Sequence, residues 1–157
     1  MIRKYKPSDY DFVLNGVASI QKKIKMTGMP LVSKNRRSKQ EMASRFLEKL
    51  LIPTNLCFVF LNSKGRRVGF TCFKPINSKV CFFEFFFKDI NAPIHSSLVN
   101  EFKNHVREVK EKYEFDEMYA NLVKREGYEK WISMAEKYFN AKMVSNQKNK
   151  KIVQFNF

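Results

Sequence analysis

Glu84 is the only carboxylate in the run Val80-Cys81-Phe82-Phe83-Glu84-Phe85-Phe86-Phe87. Between phenylalanines a carboxyl group is poorly hydrated, and desolvation disfavours its charged form. Its pKa is therefore expected to rise toward the range in which a base takes a proton near neutral pH. Two other fates stay open for it: an ion pair with a lysine, or solvent at a point where the strand splays from its neighbour. The other reactive residue types lack a working spacing. Cys57, Cys72 and Cys81 stand in apolar surroundings with no Cys-x-x-Cys, and their odd number argues against a disulfide framework. They read as small core residues in a reducing compartment. His95 and His105 are not at the helical spacing of a zinc pair. No acidic cluster joins them as a two-metal nuclease or hydrolase would require, so no metal site is expected.

The abundant reactive groups are cations. The 157 residues carry 30 Lys+Arg against 15 Asp+Glu, a formal charge of +15. An unpaired buried cation costs several kcal/mol, so the excess belongs on the outside. On a body with a radius of gyration of about 15 Å it makes a field that attracts polyanions. The clusters are Lys34, Arg36, Arg37 and Lys39; Arg66 and Arg67; and Lys148, Lys150 and Lys151, with a stripe of Lys103, Arg107 and Lys110. A merely solvated, lysine-rich surface is the plain alternative, and no recognised nucleic-acid motif accompanies the clusters. A disordered basic tail is excluded, because 44% of the residues are hydrophobic and 16 are Phe. One domain spanning 1–157 is expected, burying roughly 70% of the surface its unfolded chain exposes. No apolar run reaches the ~18 residues of a membrane span, and the first residues lead into no signal-like stretch. The expectation is a soluble, cytoplasmic protein.

The elements that must carry these residues follow from periodicity. Ile2-Arg3-Lys4-Tyr5-Lys6-Pro7 alternates as a short strand does. Ser8-x-x-Asp11 resembles a capping box opening a helix over 9–25, with Val13, Val17, Ile20 and Ile24 inside. A loop over 26–37 leads to a second capping box, Ser38-x-x-Glu41, and a helix with Met42, Phe46, Leu47, Leu50 and Leu51 inside, stopped by Pro53. From Asn55 the period changes to 2. Strands over 56–62 and 67–74 form a hairpin around Asn62-Ser63-Lys64-Gly65. Strand 80–87 is apolar on both faces, as a central strand must be. After Pro93 a long helix has Ile94, Leu98, Phe102, Val106, Val109 and Tyr113 inside. A strand over 115–123, a helix over 126–139 built on Trp131, Ala135 and Tyr138, and terminal strands over 141–145 and 151–157 complete the order β-α-α-β-β-β-α-β-α-β-β.

That order, with the opening Ile2-Arg3-Lys4-Tyr5-Lys6-Pro7-Ser8-Asp9-Tyr10-Asp11 and the ending Ala135-Glu136-Lys137-Tyr138-Phe139-Asn140-Ala141-Lys142, resembles the GNAT (GCN5-related N-acetyltransferase) superfamily over nearly the whole chain. The resemblance implies an α/β (α+β) fold, a mixed central sheet of six or seven strands with helices on both faces. It also implies acetyl-CoA as cofactor, with its pyrophosphate on backbone N–H groups of a loop Arg/Gln-x-x-Gly-x-Gly/Ala before a helix. The matching stretch is Ile90-Asn91-Ala92-Pro93-Ile94-His95-Ser96-Ser97-Leu98. Aligned on Leu98, the basic position is Ile90, the first glycine Pro93 and the second His95. Pro93 lacks an N–H and His95 fills space that glycine leaves open. The residues left to hold a cofactor are Lys88, Ile94, His95, Ser96 and Ser97. Glu84 matches the general-base position on the fourth strand. The tyrosine that protonates the departing thiolate is matched by Ala135, which leaves Tyr138 as the candidate acid; Tyr128 and Tyr138 also fit an aromatic core face.

Two functions follow. The departures at the cofactor loop favour a scaffold without efficient catalysis, whose basic clusters hold an anionic partner, nucleic acid or a protein assembly. In size, altered loop and Lys, Asn and Phe content the chain resembles small GNAT-like proteins of tailed phages, some of them virion or assembly components, which places it in a host cytoplasm or a virion. The alternative is a divergent acetyl-CoA-dependent N-acetyltransferase.

Overall fold

The structure is a computed structural model that describes residues 1–23, 39–89, 96–124 and 128–157. Its elements are β1 (Ile2–Lys4), a 3-10 turn (Pro7–Asp9), α1 (Tyr10–Lys23), α2 (Lys39–Leu50), β2 (Leu56–Leu61), β3 (Arg67–Pro75), β4 (Val80–Lys88), α3 (Ser96–Lys112), β5 (Glu117–Val123), α4 (Tyr128–Phe139), β6 (Lys142–Asn146) and β7 (Lys150–Phe155). The element order is the one the periodicities predict. Seven strands hydrogen-bond in the order β1-β2-β3-β4-β5-β7-β6. The sheet is mixed: β4 and β5 are parallel, while β1 with β2, β5 with β7 and β6 with β7 are antiparallel. The backbone divides into two compact units, Met1–Cys72 with Phe85–Ala92 and Phe73–Glu84 with Pro93–Phe157, so that β3 and β4 each contribute to both.

The first unit is organised around a carboxylate. Asp9 is completely buried and receives Arg3 through two parallel bonds, Nη1 to Oδ2 at 2.7 Å and Nη2 to Oδ1 at 2.8 Å. Arg67 Nε adds a third bond to Oδ1 at 2.6 Å, and its Nη2 donates to the Ser8 carbonyl at 3.2 Å. The Lys6 N–H donates to Asp9 Oδ2 at 2.8 Å. Asp9 thereby caps its own turn, which starts the helical backbone before the expected Ser8 and Asp11 box. The acid that matters is the one aimed inward, and only a pair of fork-shaped donors makes such burial tolerable. Gly65, with φ 71, closes the β2–β3 turn that brings Arg67 back to this site.

Around this group α1 and α2 pack on the strands. The core holds Val13, Val17 and Ala18 of α1, Ala43, Leu47 and Leu50 of α2, and Val59, Phe70 and Cys72 of β2 and β3. The α2 face is turned one residue from expectation, with Ala43 inside and Met42 38% exposed. The small Ala43 side chain lets the two helices meet closely enough for the Tyr10 hydroxyl to reach Ser44 Oγ at 3.1 Å. The expected Ser38 cap, Ile24 and the loop over 26–37 lie outside the described residues.

Aromatic rings fill the second unit. Phe73 meets Phe83 at 5.5 Å, Phe83 meets Phe102 at 5.4 Å, Phe102 meets Phe139 at 5.6 Å, and Phe139 stacks on Phe155 at 4.7 Å. His105 joins Phe102, Val106 and Val109 on the buried face of α3, edge-on to Phe73. Beyond α3, Glu114 takes a left-handed φ of 55 and the Phe115 N–H returns to the Lys110 carbonyl at 3.0 Å. That cap occupies Phe115, so β5 starts at Glu117 rather than at 115. In α4 the buried residues are Ala135 and Phe139, while Trp131 is 39% exposed and Tyr138 half-buried. The inward face of α4 thus carries Phe139 in place of the expected Trp131 and Tyr138.

Two groups make stability depend on pH in separate windows. Burial lowers the His105 pKa from 6.5 to about 4, so the folded protein keeps it neutral where the unfolded chain would protonate it. Stability is expected to fall by up to about 3 kcal/mol as pH drops from 6.5 to about 4, at about 1.4 kcal/mol per pKa unit. Arg3, with Arg67 and the Lys6 N–H, holds the Asp9 carboxyl well below its usual 3.8, so its stabilisation is present above that pH and lost below it. Urea melts across this range check both: His105→Leu flattens the upper window alone, and Asp9→Asn the lower alone.

Candidate functional site on β4 and β5

Period-2 alternation divides β4 between two environments. Cys81 and Phe83 share a face with Met118 and Ala120 of β5; Cys81, Met118 and Ala120 are buried, and this is the side on which Phe83 meets Phe102 of α3. Burial pushes the Cys81 thiol up to about 12, and the Glu84 carboxylate adds to the rise. Phe82 and Glu84 point the other way. There Phe82 stacks on Tyr119 at 5.4 Å, and the Tyr119 hydroxyl donates to Glu117 Oε2. Desolvation and that hydrogen bond raise the Tyr119 pKa, the bond contributing most.

The parallel ladder runs from Val80↔Glu117 to Phe83↔Ala120, although β4 continues to Lys88 and β5 to Val123. Glu84 and Asn121 each follow the last pair of this ladder by one residue, and alternation places them on the side of Phe82 and Tyr119. On the other edge of β5, Gln154 lies opposite Tyr119 and Ile152 opposite Asn121. All of these side chains are half-buried. Among the described residues no lysine or arginine forms an ion pair with Glu84. The Asn121 Oδ1 atom is buried without a hydrogen-bond partner among the described residues. One residue past the paired stretch, β4 thus carries a carboxylate and β5 an amide oxygen able to accept an N–H.

Sequence reasoning finds Glu84 and misses Asn121. An asparagine inside a strand reads as a weak strand former; its value depends on where the β4–β5 ladder stops. The available signal was polarity at every second position of Glu117-Met118-Tyr119-Ala120-Asn121, which marks one face of β5 as other than core.

The remaining candidates are distributed unevenly. Ser96 and Ser97 begin α3, which has no acidic residue in its first turn to compete for its free N–H groups. Lys88 ends β4. Ile94 and His95 lie outside the described residues, as do Lys34, Arg36 and Arg37; Lys39 is the first residue of α2. Tyr138 lies under Lys137 Nζ at 5.1 Å from its ring, with no hydrogen bond to Glu84 among the described residues. Arg66 is exposed at the hairpin, whereas Arg67 commits its guanidinium to Asp9. Lys148 is exposed in the β6–β7 turn, Lys150 is half-buried, and Lys151 Nζ sits 5.5 Å from the Tyr128 ring. From the α3 stripe, Arg107 and Lys110 flank the Phe157 ring at 5.8 and 5.9 Å. They line a depression of about 750 Å³ that also contains Lys79, Glu111, Glu114 and Asp116, so its charge is mixed. Among the described residues no group of three His, Cys, Asp or Glu side chains could hold a metal ion, and no helix is long and apolar enough to cross a membrane.

No protein-family model and no curated protein sequence matches the chain. Solved structures do. The chain has the fold of the GNAT N-acetyltransferases, with a mixed seven-stranded sheet and four α-helices among the described residues. It superposes on the Campylobacter jejuni N-acetyltransferase PseH with a TM-score of 0.65 at 13% identity, covering 99% of this chain and 96% of that one. With the spermidine N-acetyltransferase of Vibrio cholerae in complex with CoA and spermine the score is 0.67 at 11% identity, covering 98% and 92%. With FdhC, a nucleotide-linked sugar GNAT, it is 0.69 at 13%, covering 98% and 84%.

An unmet buried carbonyl destabilises a fold by about 1–3 kcal/mol. Asn121→Leu is therefore expected to raise stability by about 1 kcal/mol in urea melts while any activity of the site falls, the opposition expected of a residue kept for binding.

Proposed function

We propose that the chain is an acetyl-CoA-dependent N-acyltransferase whose acceptor amine is deprotonated by Glu84. The observation that carries this reading is the unmet Asn121 oxygen on β5, one residue past the paired stretch of the β4–β5 ladder, with Glu84 at the same step on β4 and without an ion pair among the described residues. The GNAT fold supports it by analogy, which bears on fold more strongly than on activity.

Each residue has a chemical task. The Asn121 Oδ1 would accept one N–H of the acceptor amine and so orient its nitrogen. Glu84 would take the proton that the nitrogen loses as the thioester C–S bond gives way to the new C–N bond, the CoA thiolate leaving with a proton from solvent. Acetyl-CoA, when bound, supplies the acyl group activated as a thioester. The first turn of α3, opened by Ser96 and Ser97 and free of acids, offers N–H donors to its phosphates. Pro93 supplies no N–H in the preceding stretch, so binding weaker than the micromolar range is expected. The +15 charge disfavours a polycationic acceptor such as the spermine of the Vibrio cholerae complex and favours an amine that carries an anionic group.

A second reading rests on the sequence departures at Ile90, Pro93, His95 and Ala135: a non-catalytic protein, phage-associated in its resemblance, that binds nucleic acid or a protein assembly through Arg66, Lys148 and neighbouring cations. Arg67 contributes little to it while paired with Asp9.

Calorimetry with acetyl-CoA separates the two. Heat of binding at up to millimolar ligand, with Glu84→Gln lowering kcat by about 10²–10⁴-fold at unchanged Kd, is expected for the acyltransferase; absence of binding rejects it. For the second reading, duplex DNA binding should weaken with salt at a log–log slope of about −5 for six neutralised phosphates. A flat slope rejects the nucleic-acid version.

A further inference from the structure

Cys57 and Cys72 bring their sulfurs to 3.6 Å of one another in the first unit. Both thiols also reach one acceptor, the Leu50 carbonyl at the end of α2, at 3.5 Å from Cys57 and 3.6 Å from Cys72. The pair is asymmetric. Cys72 is fully buried in the core between α2 and the strands, whereas Cys57 is half-buried. A hydrogen bond from the Cys72 thiol to the Cys57 sulfur favours the Cys57 thiolate, outweighs its burial and lowers the Cys57 pKa, while Cys81 is held in its protonated, unreactive form. A disulfide needs the sulfurs at about 2.05 Å, so the two thiols must approach by only about 1.5 Å.

We propose that Cys57 and Cys72 form a reversible redox dithiol that is oxidised by small disulfides of the glutathione class. The Cys57 thiolate attacks one sulfur of the small disulfide, forming a mixed disulfide and expelling one small thiolate, which takes up a proton. The Cys72 thiol then gives up its proton, its sulfur attacks Cys57 Sγ, and the second small thiol leaves. Two protein thiols lose two electrons and two protons, and one small disulfide becomes two thiols. The product ties β2 to β3 beneath the end of α2 and removes both S–H donors from the Leu50 carbonyl. The oxidised form should resist heat better than the reduced one, because the bond closes a loop in the unfolded chain.

The test is incubation of the intact protein with glutathione disulfide at several ratios to glutathione, followed by alkylation and peptide mapping. The expected product is a Cys57–Cys72 disulfide with Cys81 still alkylatable after unfolding, reversed by dithiothreitol and accompanied by a higher Tm. Cys72→Ser should stop at a stable glutathione adduct on Cys57, and Cys57→Ser should leave Cys72 unmodified. A glutathione adduct that persists on Cys57 in the unmutated protein overturns the proposal. So does pairing through Cys81, or absence of reaction while the thiols remain alkylatable after unfolding. These outcomes are read on the unmutated chain and stand even where a variant fails to fold.

Discussion

Parallel pairing of β4 and β5 is the constraint on which the candidate site depends. Two parallel neighbours cannot be joined by a tight turn, so the chain must leave the sheet and return, and α3 lies in that crossover. The same pairing fixes in-register residues to the same side. It therefore collects Cys81, Phe83, Met118 and Ala120 beside α3, and Phe82, Glu84, Tyr119 and Asn121 on the other side. Antiparallel β7 then occupies the second edge of β5 over the whole of that strand's length beyond Glu117, and Asn121 keeps its backbone paired even where β4 no longer accompanies it. Asn121 is thus held by pairing with β7 on one edge of β5.

The charge of the chain takes on a different character once the cations are traced. Asp9 withdraws two of them, and the geometry is of the type in which a buried ion pair survives: bidentate, with every carboxylate oxygen bonded and a backbone N–H added. Others lie over aromatic rings, Lys151 on Tyr128 and both Arg107 and Lys110 on Phe157, where a cation gains from the ring face. The positive excess is thus partly structural, and a field that attracts anions is produced by the rest.

Much of the fold was legible in the residues. Val13 and Val17, Leu47 and Leu50, and Phe102, Val106 and Val109 all lie inside as their spacing requires. On α2 the expected stripe runs through the large Met42, whereas a helix lying close against its neighbours turns the small Ala43 inward; on α4 the expected Ala135 is buried, and Phe139 rather than Trp131 lies beside it. At the helix ends, Asp9 and Glu114 act through backbone contacts that no local spacing announces. Glu84 was legible because a carboxylate in an apolar strand is conspicuous. Asn121 and the Cys57–Cys72 contact were not, since each depends on a partner strand.

The sequence by itself determined the order and type of the elements, the apolar character of β4 and the placement of a single carboxylate within it, because periodicity and composition act over a few residues. Tertiary structure alone decided which strand lies beside β4 and in what register, where that ladder ends, which acid is buried, and which thiols meet. Those outcomes rest on contacts between residues tens of positions apart, 58 between Asp9 and Arg67 and 15 between Cys57 and Cys72, and on the fixed side-to-side geometry of a sheet.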